Sequence, residues 1–130
     1  MTGGALSERV RITPTGDVGI GTTSPNATLE VNGSVAHRIT NFAGDFTVAN
    51  HNGHYFIHTS TSAHTITLPA PSAALDGRVI HIINEDGGAA NGNLTFAAGT
   101  APAGPIEAIA PGSSASLICN GTVWIIYSAF

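Results

Sequence analysis

The chain has 130 residues, which suits one domain with a short extra module, and 42% of them are hydrophobic while only 9% are charged. Average soluble domains carry about a quarter charged residues; here lysine is absent and the cations are Arg9, Arg11, Arg38 and Arg78. A net charge of −4 without clustered cations argues against a nucleic-acid backbone or an anionic membrane as partner, and no apolar run reaches the ~20 residues that cross a bilayer.

Residues Met1 to Arg11 lack a basic start followed by an apolar stretch, so no secretory leader is expected. Val10-Arg11-Ile12-Thr13 alternates with period two and reads as the first strand. Pro14-Thr15-Gly16-Asp17 is a turn, and Val18-Gly19-Ile20 resumes an extended path until Thr22-Thr23-Ser24-Pro25 breaks it. Leu29-Glu30-Val31 follows. Asn32-Gly33 then predicts a two-residue hairpin turn, with Ser34 to Thr40 as the return strand.

Beyond that point the apolar runs lengthen. Strands are expected at Phe46 to Val48, Tyr55 to Thr59, Thr65 to Leu68, Arg78 to Asn84, Asn93 to Phe96, Ile106 to Ile109, Ala115 to Cys119 and Val123 to Tyr127. Turn residues separate them, including His51-Asn52-Gly53 and Glu85-Asp86-Gly87-Gly88, and Ala98 to Pro105 reads as a long loop. Helix-friendly composition is confined to Ala70 to Leu75, and Pro71 interrupts it. The class is therefore all-β. Residues 1–36 form a short segment with isolated apolar residues, and residues 37–130 form a compact sandwich or barrel-like domain.

The first segment holds too few apolar residues for a core of its own. Val18, Ile20, Leu29 and Val31 become a shared core if three copies meet at an axis, and they are the candidate trimer-interface residues. Glycine at 19 and 21 permits close backbone approach or a positive φ, and Pro25 ends strand pairing.

Glu8-Arg9-Val10-Arg11-Ile12-Thr13, Gly16-Asp17-Val18-Gly19-Ile20-Gly21-Thr22-Thr23-Ser24-Pro25 and Leu29-Glu30-Val31-Asn32-Gly33 together resemble the shaft repeat of phage tail fibres and related trimeric surface proteins. The resemblance covers about residues 7 to 35. It implies a homotrimer whose N-terminal strands intertwine. More loosely, His64-Thr65-Ile66-Thr67-Leu68-Pro69, Gly77-Arg78-Val79-Ile80-His81-Ile82-Ile83-Asn84 and Gly121-Thr122-Val123-Trp124-Ile125-Ile126-Tyr127 resemble β-domains at phage fibre tips. The chain departs from long fibres in having one shaft repeat and no recognisable chaperone after it. Its ends at Met1 and Phe130 suggest a short stand-alone fibre or a small protein plugged onto a larger particle.

Other residues invite chemistry. His51, His54 and His58 are spaced by three and four; on a strand His54 and His58 would share a face, and one inward His per copy in a trimer could meet a metal. Without His-x-His pairs the default is hydrogen-bonded or solvated rings, and no cofactor or metal is assigned. Cys119, the lone cysteine, lies in an apolar run and reads as a small buried hydrophobe. Glu85 and Asp86 are adjacent, so on a strand they would point to opposite sides and make a poor glycosidase pair. Gly112-Ser113-Ser114 is no nucleophile elbow. Asn26, Asn32, Asn93 and Asn120 begin glycosylation sequons of the kind that an Asn-, Ser- and Thr-rich chain produces by chance. Trp124 and Tyr127 could stack on a sugar if exposed, but the apolar neighbours of Trp124 favour a core role.

These readings lead to a non-enzymatic virion protein made in the host cytoplasm. It would be a homotrimeric tail-fibre or fibre-tip component with other virion proteins and a host-surface glycan as partners. A trimeric capsid decoration or head-fibre protein is the alternative, ahead of a monomeric sugar-binding module and a hydrolase.

Overall fold

Glycine, proline and asparagine punctuation divides the chain into strands too short to build more than narrow sheets, and the two units it forms meet that constraint differently. A computed structural model describes residues 8–49, 53–85, 92–104 and 106–130. The chain divides into two compact units, Met1–Ala36 and His37–Phe130, and the described residues are all-β apart from one 3-10 turn at Ala73–Leu75.

In the first unit, β1 (Val10–Ile12), β2 (Val18–Ile20) and β3 (Leu29–Val31) form a three-stranded sheet in the order β1-β2-β3. β1 and β2 are antiparallel, closed by a tight turn in which the Gly16 amide donates to the Thr13 carbonyl at 2.9 Å and the Thr13 amide to the Asp17 carbonyl at 2.8 Å. β2 and β3 run parallel. The segment between them must double back, and it passes beneath Gly19. A Cβ on Gly19 would lie 2.6 Å from the Thr22 carbonyl oxygen, so only glycine fits there. Gly21 has φ +73°, and a Cβ on it would stand 2.9 Å from the Asn32 carbonyl oxygen.

The expected Asn32-Gly33 hairpin does not form. Both residues lie in a bend, no strand follows before Ile39, and β3 pairs with β2 instead of a return strand. Asn32 is drawn into the sheet: its amide donates to the Ile20 carbonyl at 2.8 Å and its side-chain Nδ2 to the Gly21 carbonyl at 3.3 Å.

The second unit contains β4 (Ile39–Phe42), β5 (Phe46–Thr47), β6 (Tyr55–His58), β7 (His64–Thr67), β8 (Val79–Asn84), β9 (Leu94–Phe96), β10 (Ala108–Ile109), β11 (Ser114–Cys119) and β12 (Trp124–Ala129). A five-stranded sheet has the order β12-β11-β8-β6-β4 and a four-stranded sheet the order β10-β9-β7-β5. From β4 to β9 the chain alternates between the two sheets, and each strand lies parallel to the preceding strand of its own sheet. The path is thus a coil of three turns. β10, β11 and β12 reverse direction and add antiparallel strands to both sheets.

The inner faces share one core. Phe42, Phe56, Ile80, Ile82, Leu117 and Trp124 come from the five-stranded sheet; Ile66, Leu94, Phe96 and Ile109 come from the other. The Trp124 indole Nε1 donates to the Pro69 carbonyl at 2.9 Å, which satisfies the one polar atom of that buried ring. Cys119 is fully buried in the same core.

The two outer faces differ. Residues Thr47, Thr65, Thr67 and Thr95 project from the four-stranded sheet, an outward surface that water solvates readily. On the five-stranded sheet the register sets Ile125, Ile118 and Val79 in one outward row. Ser128, Ser116, His81, Tyr55 and Ile39 form the next row. Ser114, Ile83, Ile57 and Asn41 form the third.

Candidate functional site

Cross-strand partners share a sheet face, so the register of the first unit sorts its side chains without ambiguity. Val10 pairs with Ile20 and Ile12 with Val18; Val18 pairs in turn with Leu29 and Ile20 with Val31. All six apolar residues stand on one face. Arg11, Gly19 and Glu30 occupy the other, where Glu30 Oε2 accepts the Asn26 amide at 2.7 Å and Gly19 sits over Thr22.

The apolar face is uncovered. Ile12 is 71% exposed, Leu29 61%, Val10 59% and Ile20 40%, while Val18 and Val31 are half-buried. The four residues singled out from the sequence, Val18, Ile20, Leu29 and Val31, are therefore brought onto one surface, and Val10 and Ile12 join them. The alternation of Val10-Arg11-Ile12 was legible; that β1 pairs beside β2 with these two residues on its apolar side was not. Fully burying an aliphatic side chain of this size is worth about 1.5–3 kcal/mol, so this face has substantial free energy to gain from a cover. On the opposite face Arg11 holds Glu8 in a two-point contact, which lowers the Glu8 pKa and raises that of Arg11.

The histidines separate into two groups. His51 lies outside the described residues. His54 and His58 do not share a strand face, because β6 begins at Tyr55 and His54 occupies the bend before it. His54 stacks on His37 at 4.7 Å between ring centroids and touches Tyr55 and His81, while Tyr55 stacks on His81 at 4.7 Å. Burial, followed by the charges of His37, His81 and Arg78, lowers the His54 pKa. The stacked faces cover one another and His81 Nδ1 is engaged by Ser116 Oγ at 2.7 Å, which leaves little open ring face for a sugar.

His58 points inward and is fully buried. Its Nδ1 lies 2.7 Å from Asn84 Oδ1 and its Nε2 lies 2.9 Å from His64 Nδ1. Asn84 Nδ2 donates to the carbonyls of Ile109 at 2.8 Å and Gly92 at 3.2 Å. This chain of hydrogen bonds ties β6, β7, β8 and β10 together at one end of the core, a structural role.

Among the described residues no three His, Cys, Asp or Glu side chains are grouped to hold a metal. Asp86 lies outside the described residues, so the Glu85-Asp86 pair is not defined. A groove of about 560 Å³ runs past Thr95, Phe96, Pro102, Ile106 and Glu107; its described lining holds one carboxylate, too few for a two-carboxylate hydrolysis. Trp124 is buried and offers no platform for a ligand, whereas Tyr127 is exposed. Asn120 Oδ1 accepts from the amides of Thr122 and Val123 and so closes the turn between β11 and β12.

Comparison with family models finds none that matches this chain, and comparison with curated proteins finds no significant match.

Proposed function

We propose that the protein is a homotrimeric structural component of a virion appendage, a tail fibre or fibre tip that links the particle to a host surface. The uncovered apolar face of the three-stranded sheet carries this reading. Six aliphatic side chains on one side of three short strands form half of a core, and apposed copies supply the rest. The Val18 to Pro25 motif, similar to phage fibre shafts, sits in that sheet, with its glycines where the backbone crowds. The scarcity of charge fits a surface largely buried in an assembly.

In this role the protein carries out no chemistry. The N-terminal unit joins the copies, the second unit presents a surface to the outside, and adjoining virion proteins and a host-surface glycan are its partners. Light scattering on the purified full chain tests the reading, with an expected mass three times that of one chain. Ile20→Asp places like charges close together on the apposed faces, and the expected result is a shift to smaller species. An unchanged trimer in that variant refutes the placement of Ile20 at the junction; a monomeric wild type refutes the trimer.

A further inference from the structure

We infer that the outer face of the five-stranded sheet is a second self-association surface, on which neighbouring copies of this chain pack. The inference rests on the trimeric reading and names the part of the second unit that completes it.

The contrast between the two outer faces is the first observation. A sheet face turned to water normally carries polar residues, as Thr47, Thr65, Thr67 and Thr95 do on the four-stranded sheet. The five-stranded sheet instead turns out Ile39, Ile57, Val79, Ile83, Ile118 and Ile125. These aliphatic residues make up half of the outward positions that the register defines on that sheet, the rest being Ser114, Ser116, Ser128, Asn41, Tyr55 and His81. β8 reads Val-Ile-His-Ile-Ile-Asn, with alternate residues fully buried and the others half-buried. Strands of that pattern belong to sheets covered on both faces.

Size is the second observation. Strands lie about 4.8 Å apart and same-face residues about 6.8 Å apart, so the three-stranded face of the first unit offers a flat footprint on the order of 200 Å². Stable interfaces take roughly 800 Å² from each partner. The first unit alone is too small. The five-stranded face by itself offers a footprint on the order of 500 Å², more than half of that area.

Charge identifies the occupant. No Asp, Glu, Lys or Arg stands at any of the outward positions that the register defines on this sheet. The chain carries a net charge of −4, so two copies repel through most surfaces, but here they can meet without bringing carboxylates together. The polar groups of the face are Ser114, Ser116, Ser128, Asn41, Tyr55 and His81, and His81 is already bonded to Ser116. A partner selected by carboxylate, ammonium or guanidinium charge would find no such group at these positions to recognise.

Sedimentation of the full-length chain tests the inference on Ile83→Asp, on the double variant Ile83→Thr/Ile118→Thr, on Ile20→Asp and on Thr47→Asp. Circular dichroism confirms that each is folded. The expected result is a trimer for the wild type and Thr47→Asp, and at least a tenfold weaker association for Ile83→Asp. If Ile83→Asp does not fold, the β-branched double variant decides, with weakened association again expected. Wild-type association in the Ile83 variants, alongside dissociation of Ile20→Asp, overturns this inference and leaves the proposed trimer intact. Equal weakening by Thr47→Asp also overturns it. A wild type that is monomeric at all concentrations overturns both.

Discussion

Replacing His58 by leucine probes the polar chain at the end of the core. Asn84 donates through Nδ2 to two backbone carbonyls, so its Oδ1 is the acceptor facing His58. His58 therefore donates from Nδ1, and its Nε2 shares a second hydrogen bond with His64 Nδ1. Leucine removes the donor and leaves Asn84 Oδ1 fully buried without that partner, a loss of about 1–3 kcal/mol. His64 is half-buried and recovers a water partner, which adds little. Asn84→Leu is more damaging, since it strands the His58 Nδ1 proton and the carbonyls of Ile109 and Gly92 together. Its expected destabilisation is about 3–5 kcal/mol. In a double-mutant cycle the two changes are strongly non-additive, because each removes the bond they share. Urea unfolding followed by the fluorescence of Trp124, the one tryptophan, measures both at equal chain concentration, so that assembly contributes alike. A His58→Leu protein as stable as wild type, or one less stable than Asn84→Leu, refutes the assigned hydrogen-bond directions.

Three further outcomes follow from individual residues. Gly19→Ala sets a Cβ 2.6 Å from the Thr22 carbonyl oxygen, so the Thr22 to Pro25 segment must shift; thermal unfolding is expected to show a loss of about 1–3 kcal/mol. Trp124→Phe removes the donor to the Pro69 carbonyl and leaves a cavity, with an expected loss of about 2–4 kcal/mol by chemical denaturation read from circular dichroism. His54 has a folded-state pKa below the ordinary value of about 6.5, so between those two values the unfolded chain binds more protons and stability falls as pH falls, levelling off below the folded pKa. His54→Gln should therefore flatten the acid side of a melting-temperature profile, and an unchanged profile would contradict the crowding of His54 by His37, His81 and Arg78.

The legibility of the strands has a local cause. Leu29 to Val31 and Val18 to Ile20 are strands as read from the sequence, and those at Val79, Ser114 and Trp124 begin within a residue of expectation. Period-two alternation and turn residues act within a few positions, so a single chain segment displays them. The failures are equally specific. Asn32-Gly33 carries the chemistry of a tight hairpin, yet the edge of β2 competes successfully for β3. His54 and His58 have strand spacing, but the strand starts between them. In the first unit, four apolar residues could be named, while Val10 and Ile12 depended on which strand lies beside which.

By itself the sequence determined the all-β class, the positions of most strands, and the buried setting of Trp124 and Cys119. Those features depend on side-chain size, hydropathy and backbone freedom, all carried by neighbouring residues. Tertiary structure alone decided that most of the second unit's strands pair in parallel by alternating between two sheets. It also decided that one outer face is threonine-lined while the other is isoleucine-rich. Parallel pairing joins residues separated by a whole turn of the coil, and the period of a strand states that it has two faces without stating what each will meet.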